Sequence, residues 1–365
     1  MHPLARKELE TLPVYVPGKP VEDVLREYGI DRAVKLASNE NPLGASPKAV
    51  EAVKKEAENI FIYPDPAVRS LRNKMSEIFD IAPEKIMVGN GGESLIQLVA
   101  QSFIEEGDEV IVPDPSFSLY EISVKHMGGV VKTVPLVGDN FEYNFDGLID
   151  AITDKTKIIY ICNPNNPTGT IITTEEMKDF VARIPEHVIL FLDEAYFEFA
   201  METGDYPDGL EILKKRKNTI VLRTFAKVCG IAGLRVGYIF SDELILDEIT
   251  KSRGVFTVNR LAQAGALAAL DDKEHIQRSV ALNKASLQRM MDFFDEKGLH
   301  YVKPGGNFIW VNVKQDTRET YVALQKKGVI VRPGFLWNYD EWLRISSGTM
   351  EETEILIETL EKILA

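Results

Sequence analysis

Four short polar segments of this sequence hold residue types that do chemistry, and each follows directly on an apolar run. After Lys85–Val88 comes Gly89-Asn90-Gly91-Gly92-Glu93-Ser94, opening a helix. Glycines let backbone N–H groups approach an anion at a helix N-terminus, where the helix dipole also favours negative charge. Taken alone, a tight turn accounts for the same residues. After Lys157–Cys162 comes Asn163-Pro164-Asn165-Asn166-Pro167-Thr168-Gly169. Its two Asn-Pro steps disfavour helix and stiffen a turn, and three amide side chains are more than turning requires. After Val188–Leu192 comes Asp193-Glu194-Ala195-Tyr196. A carboxylate at the end of a buried strand is costly unless a cation meets it, although Asp193 alone reads equally as a helix N-cap. After Thr219–Leu222 comes Arg223 to Tyr238, in which Lys227 sits among Phe, Val, Ile and Leu with Arg235 as the next cation. An isolated lysine is ordinarily a surface group. A desolvated one flanked by another cation has a lowered pKa and is an amine nucleophile toward a carbonyl.

Together these segments specify a ligand. One end is an anion held by glycine-loop N–H groups and Arg235; one atom is cationic and meets Asp193. One oxygen is served by Asn166 and Tyr196, and one carbonyl carbon reacts with Lys227. Pyridoxal 5′-phosphate has all four features, and a lysine Schiff base with an Asp on the ring nitrogen is its usual protein signature.

The elements that must position these groups read as an α/β layer structure. Further strands are expected at Glu109–Val112, Val130–Val134 and Val236–Phe240, with helical patterns between most of them. The strands are apolar on successive positions, as in parallel sheets covered by helices on both faces, and ligands bind beyond the carboxyl ends of such strands. Ser46 and Pro47 begin a helix that turns Val50, Val53 and Ala57 to one face, and another runs over Leu95–Ile104. The first forty residues, with Pro3, Pro13, Pro17 and Pro20, read as an extended arm with one short helix near Glu22–Tyr28. Such an arm packs on its own domain or on a partner subunit. From about Ser252 the texture changes to a smaller α+β domain. Its helices are expected at Asn259–Leu270, Lys273–Lys297, Glu319–Lys327 and Glu351–Leu364, its strands at His300–Val302, Phe308–Val313, Val329–Arg332 and Leu343–Ser346. The expected division is 1–44 for the arm and part of the small domain, 45–251 for a large cofactor-binding domain and 252–365 for the small one.

Composition narrows the function classes. The 365 residues are 45% hydrophobic and 27% charged, an ordinary globular balance that excludes wholesale disorder. Lys and Arg number 42 against 56 Asp and Glu, a net charge of −14 that excludes binding nucleic acid or anionic membrane through overall charge. Apolar stretches such as Val188–Leu192 fall far short of the ~18 residues of a membrane span. The basic N-terminus has no apolar run behind it, so no secretory leader is expected. Cys162 and Cys229 show no metal-ligand spacing and no disulfide framework, and the histidines show none either, so a reduced cytoplasm and no metal are expected.

Asn163–Gly169, Asp193–Tyr196 and Arg223–Tyr238 resemble the fold-type I, class I/II aminotransferases. Lys35-Leu-Ala-Ser-Asn-Glu-Asn-Pro-Leu-Gly44 and Tyr63-Pro64-Asp65-Pro66 look like their histidinol-phosphate aminotransferase branch. The resemblance covers residues 12–350. It implies the three-layer, α/β pyridoxal-phosphate-dependent transferase fold, with a mostly parallel central sheet. It implies that Lys227 forms the Schiff base and shuttles the proton between the substrate Cα and the cofactor C4′, and that Asp193 keeps the ring nitrogen protonated. By the same similarity Tyr196 and Asn166 hydrogen-bond the ring oxygen, and Phe117 stacks on the ring. Gly92, Glu93, Thr224 and Arg235 match phosphate contacts, and Tyr63 matches a contact delivered across a homodimer interface. Arg344 matches the arginine that holds a substrate carboxylate; Tyr15, Asn41 and Arg332 complete the expected substrate-binding set. The sequence departs from the family at Ala226, usually Ser, which removes a phosphate hydroxyl worth roughly 1.5–3 kcal/mol. It departs also at Gly91–Ser94 and at Val255–Thr257, positions that bear on cofactor affinity and substrate rather than on reaction type.

Histidinol phosphate carries a phosphate where amino acids carry the α-carboxylate, which suits a pocket with two arginines, Arg332 and Arg344; the same pair suits the dicarboxylate 2-oxoglutarate. The expected reaction is histidinol phosphate plus 2-oxoglutarate to imidazole acetol phosphate plus glutamate, by a ping-pong route. Leu12–Lys19, Phe256–Val258 and Asn307–Trp310 look closer to phenylalanine or tyrosine aminotransferases, and Phe335–Tyr339 either lines an aromatic pocket or packs ordinarily. A decarboxylase of threonine phosphate shares the scaffold and the lysine. A regulatory cofactor-binding module needs an additional DNA-binding domain, for which this acidic chain has no room.

Overall fold

The computed structural model describes residues 4–10, 12 and 18–364. Its strands, in chain order, are β1 (Val34–Lys35), β2 (Ile86–Gly89), β3 (Glu109–Asp114), β4 (Val130–Pro135), β5 (Thr156–Cys162), β6 (Ile189–Asp193) and β7 (Thr219–Thr224). β8 (Gly237–Phe240), β9 (Tyr301–Val302), β10 (Phe308–Asn312), β11 (Val329–Ile330), β12 (Arg332–Pro333) and β13 (Trp342–Ser346) follow. Seven of them form the central sheet in the order β2-β8-β7-β6-β5-β3-β4. All run parallel except β8, which is antiparallel to both neighbours.

The unbroken apolar runs have the expected cause. In β5, β6 and β7 successive side chains enter two different cores: Ile159, Ile161, Leu190, Leu192 and Val221 one, Ile158, Tyr160, Ile189, Phe191, Ile220 and Leu222 the other. Both faces of the sheet are covered, so neither alternation set is polar. One charged cluster is nonetheless built in beside it. Arg223, 1% exposed, donates from Nε to Glu194 Oε2 at 2.8 Å and from Nη2 to Asp208 Oδ1 at 2.7 Å, with its guanidinium 3.5 Å from the Phe197 ring centroid. The cation that meets the Asp193-Glu194 pair in this core therefore pairs with Glu194, leaving Asp193 to the sheet edge.

The helix Pro47–Glu56 starts as expected, with Ser46 Oγ accepting from Ala49 N–H, but its buried side is Ala49 and Val53. Val50 is 37% exposed and Ala57 faces outward. The helix Arg260–Ala269 packs there because Gly265 leaves room: a Cβ on it would stand 3.0 Å from Val53 and 2.6 Å from Leu234. The helix expected from Leu95 begins at Gly91 instead and runs to Phe103. The long helix Lys273–Glu296 backs a four-stranded antiparallel sheet, β12-β13-β10-β9, and its Leu287, Met290 and Phe294 join Ile309, Leu343 and Ile345 in one core. Val34 of β1 belongs to that core too, through parallel pairing of β1 with β11. The strand expected over Val329–Arg332 is two, interrupted at Val331. The described part of the arm packs on its own chain: Arg6 donates to the His126 carbonyl, and Lys7 pairs with Glu106 at 2.6 Å. No helix among the described residues is long and apolar enough to cross a membrane.

Replacing Arg223 by Met leaves Glu194 buried without its cation, which costs about 3–5 kcal/mol. Chemical denaturation of the variant is expected to show a loss of that size. A loss under about 1 kcal/mol, the usual value for an exposed pair, means that water reaches the cluster.

Candidate active site

Parallel pairing places the C-terminal ends of β2, β5, β6 and β7 on one edge of the sheet, and antiparallel β8 brings its first residue there. Gly89, Gly237 and Thr224 lie abreast across β2, β8 and β7, and Cys162 lies beside Asp193. A cavity of about 240 Å³ opens on this edge.

Lys227, three residues past β7, is half-buried at the cavity and reaches the Ser38 carbonyl at 3.4 Å. Burial brings its pKa down to about 8, helped by the Arg344 and Arg235 cations and opposed by Glu40 and Asp193. An amine so lowered has a substantial neutral fraction near neutral pH. Asp193, 4% exposed, accepts from the Tyr120 hydroxyl at 2.6 Å and from Ala195 N–H at 3.0 Å. Burial pushes this carboxyl up; those two donors and Lys227 oppose it. The Tyr196 hydroxyl accepts from Asn39 Nδ2 at 2.9 Å and from Asn166 Nδ2 at 3.3 Å. Burial holds this phenol well above its ordinary pKa, so it keeps its proton and remains a donor. Phe117 forms part of the wall.

The opposite end of the cavity is built for an anion. Gly92 and Glu93 carry N–H groups of the first turn of the helix Gly91–Phe103, which have no acceptor within the helix. Gly91 has φ +82°, and a Cβ on it would come within 2.8 Å of Arg235 Nη2. A Cβ on Gly237 would stand 3.0 Å from Gly92 N and 3.1 Å from Gly91 C. Both glycines thus let backbone and guanidinium converge. Arg235 is itself left-handed, φ 57°, with its side chain 3.7 Å from Glu93 and 45% exposed. Thr224, at the end of β7, and Ala226 also line this part. An anion cup, a buried carboxylate and a lowered-pKa lysine within one cavity fit pyridoxal 5′-phosphate.

Arg332 and Arg344 are directly opposite on β12 and β13, and both line the cavity. Arg344 donates to Asn166 Oδ1 and to the Ala37 carbonyl, each at 2.6 Å. Asn41 does not line it. Its amide donates to the Val228 carbonyl and to Ser279 at 2.8 Å, and its Oδ1 accepts from Leu43 N–H, so it braces the turn behind Lys227. The asparagine at the cavity is Asn39, held in a left-handed conformation by hydrogen bonds with Ser346. Tyr15 lies outside the described residues. Tyr63 is 75% exposed and stacks on Phe256 at 4.5 Å, away from the cavity. Of Phe335–Tyr339, Tyr339 packs on Phe141 and Trp310, and Trp337 donates to the Ser116 carbonyl; none lines the cavity. Cys229 is 4% exposed within the core, as a packing residue would be. Tyr120, Asn39 and the Ser38 carbonyl went unnoticed in the sequence. The left-handed asparagine carried a weak signal in the Lys35–Gly44 motif, and the other two carried none.

The profile of the family "Aminotransferase class I and II" matches residues 31–360, and the chain belongs to that family of pyridoxal-phosphate-dependent transaminases. Within it the chain belongs to the histidinol-phosphate aminotransferase branch. It is 42% identical over 361 residues to histidinol-phosphate aminotransferase 2 of Carboxydothermus hydrogenoformans, covering 99% of each chain. It is 40% identical to histidinol-phosphate aminotransferase of Moorella thermoacetica, over the whole of this chain and 94% of that one. Among solved structures, the complex of Sinorhizobium meliloti histidinol-phosphate aminotransferase with pyridoxal 5′-phosphate superposes with a TM-score of 0.90, at 26% identity over 100% of this chain and 98% of that one.

The neutral amine is the form that attacks a carbonyl, so imine formation by cofactor-free protein is expected to rise with pH, half-maximal at about pH 8. Absorbance-monitored mixing with pyridoxal measures it. Arg344→Gln removes a cation and is expected to move the midpoint upward; a midpoint at the ordinary lysine value in the parent contradicts the desolvation argument.

Proposed function

We propose that this protein transfers the amino group of histidinol phosphate to 2-oxoglutarate, giving imidazole acetol phosphate and glutamate. The Arg332–Arg344 pair, two guanidinium groups on adjacent strands at the cavity that holds Lys227 and Asp193, supports two anionic partners. Guanidinium forks suit phosphate and carboxylate alike. The observation that carries histidinol phosphate as the donor is the identity of 40–42% to relatives of that name.

Pyridoxal 5′-phosphate, when bound, acts as an electron sink for the bonds at the substrate Cα. The residues do the rest. Gly92 and Glu93 N–H groups, Thr224 and Arg235 bind the cofactor phosphate, Phe117 lies on the ring and Asp193 neutralises a protonated ring nitrogen. Asn166 and Tyr196 hold the ring oxygen. Lys227 Nζ, as the neutral amine, would move the proton between the substrate Cα and the cofactor C4′, in one direction in the first half-reaction and in the other in the second. Arg344 orients the donor or the acceptor through its anionic group, and Arg332 takes the second anion. Residues 45–251 serve as the cofactor-binding domain, with the helix Arg260–Ala269 still packed on it, and the remainder forms the smaller domain.

The active unit is a homodimer. Ile60, Phe61, Ile62 and Tyr63 stand out beside Val255 and Phe256, with Phe61 83% exposed, an apolar patch of the sort that marks an interface. Tyr63 from this patch reaches the partner's cavity. Two buried, unpaired cysteines suit the cytoplasm.

Steady-state kcat/KM with 2-oxoglutarate is expected to favour histidinol phosphate over phenylalanine and tyrosine; the reverse order assigns an aromatic substrate, and carbon dioxide in place of glutamate a decarboxylase. Arg332→Gln is expected to raise KM for histidinol phosphate by roughly 10- to 100-fold, the value of a charge-assisted hydrogen bond. Phe61→Asp is expected to yield monomers in sedimentation with little activity, and a fully active monomer refutes the shared site.

A further inference from the structure

Tyr120 lies in none of the polar segments, yet it touches two walls of the cavity. It is fully buried, its hydroxyl donates to Asp193 Oδ2 at 2.6 Å, and its ring meets Phe117 edge-on at 5.6 Å and 87°. The ring is clamped from the other side by Tyr160, stacked at 4.6 Å and 11°. We propose that Tyr120 is a positioning residue of the transamination, holding the Asp193 carboxylate ionised and in place for a cationic ring nitrogen while bracing Phe117. The inference rests on the reading that Asp193 serves that nitrogen.

A carboxylate at this depth tends toward its neutral acid, and a neutral acid gives a pyridinium no counter-charge. Of the influences that oppose burial at Asp193, the Tyr120 hydrogen bond is the largest, ahead of the Ala195 N–H and the Lys227 charge. Burial and the neighbouring carboxylate push the Tyr120 phenol far above its ordinary pKa, so it stays a donor. A neutral donor suits the position better than a lysine or an arginine. A cation there would hold the carboxylate ionised but cancel its field at the ring nitrogen, whereas a phenol supports the negative charge and leaves it intact. Geometry supplies the rest: with one oxygen fixed by the Ala195 backbone and the other by a side chain whose ring cannot turn, the carboxylate has one orientation.

The test compares Tyr120→Phe, Asp193→Asn and the double variant, all loaded with pyridoxal 5′-phosphate. Tyr120→Phe removes a single oxygen atom. It is expected to lower kcat about tenfold, to weaken cofactor binding about tenfold in equilibrium dialysis, and to leave KM for both substrates within twofold. In the Asp193→Asn background the same change is expected to add nothing, because Tyr120 acts through that carboxylate. Tyr160→Phe, which removes the buried hydroxyl that has no hydrogen-bond partner, is expected to match the parent. Equal multiplicative losses with and without Asp193 overturn the proposal and leave the role of Asp193 standing, as does Tyr120→Phe indistinguishable from the parent. A harmless Asp193→Asn overturns the reading beneath it as well. Circular dichroism checks folding; should Tyr120→Phe not fold, Tyr120→His keeps a donor at that depth. Near-parental activity then supports the proposal, and a loss as large as that of Asp193→Asn overturns it.

Discussion

The carboxylate of Asp193 and the amine of Lys227 share a cavity that withdraws both from water, and burial drives them in opposite directions: the acid toward a higher pKa, the amine toward a lower one. The chemistry proposed for this cavity needs the amine shifted and the acid not. The amine is left with cations nearby and a single carbonyl contact, whereas the acid is given two hydrogen-bond donors. The same dehydration thus makes a nucleophile of one group and is resisted at the other, and the difference lies wholly in what each touches.

Around that pair the sheet acts as an alignment device. Parallel strands end together, so residues far apart in the chain, Asp193, Thr224 and the Gly89–Glu93 turn, meet at one edge. The single antiparallel strand, β8, adds Arg235 from the opposite chain direction. Glycine decides how closely they meet. Gly237 allows β8 to lie against the first turn of the helix Gly91–Phe103, and Gly91 makes room for the guanidinium.

A chain of hydrogen bonds joins this edge to the four-stranded sheet. Arg344 and Ser346 lie on the same face of β13. Arg344 donates to Asn166, Asn166 and Asn39 donate to Tyr196, and Ser346 donates to Asn39. Arg344 and Tyr196 are therefore mechanically connected through two amides. Asn166 spends both ends of its side chain on the link, which explains why a stiff turn presents it. Each asparagine in this chain has a donor and an acceptor engaged at once, a pairing that aspartate or leucine of the same size has no means to make.

Much of this was legible before folding was considered. Strand and helix order follows from apolar periodicity, and the four polar segments named Lys227, Asp193, Tyr196, Asn166 and Arg235, because local rules place polar residues at strand ends and glycines at helix starts; Thr224 came with the resemblance. Arg332 and Arg344 came with the resemblance, and the structure puts them side by side. The misses share one cause. Asn39 and Asn41 stand two residues apart in one motif, and only the fold turns Asn39 to the cavity and Asn41 to Ser279. Asp193 and Glu194 are adjacent carboxylates, and strand alternation sends one to the cavity and the other to Arg223, a choice fixed by what lies on each face of the sheet. Tyr120 has no signature at all, since a tyrosine on the buried side of the helix Leu119–His126 reads as core until its hydroxyl is seen to end at Asp193. Residue type and spacing determined which chemistry this chain is equipped for; which group is desolvated, and against which partner, is a matter of contacts between distant segments and was settled only in three dimensions.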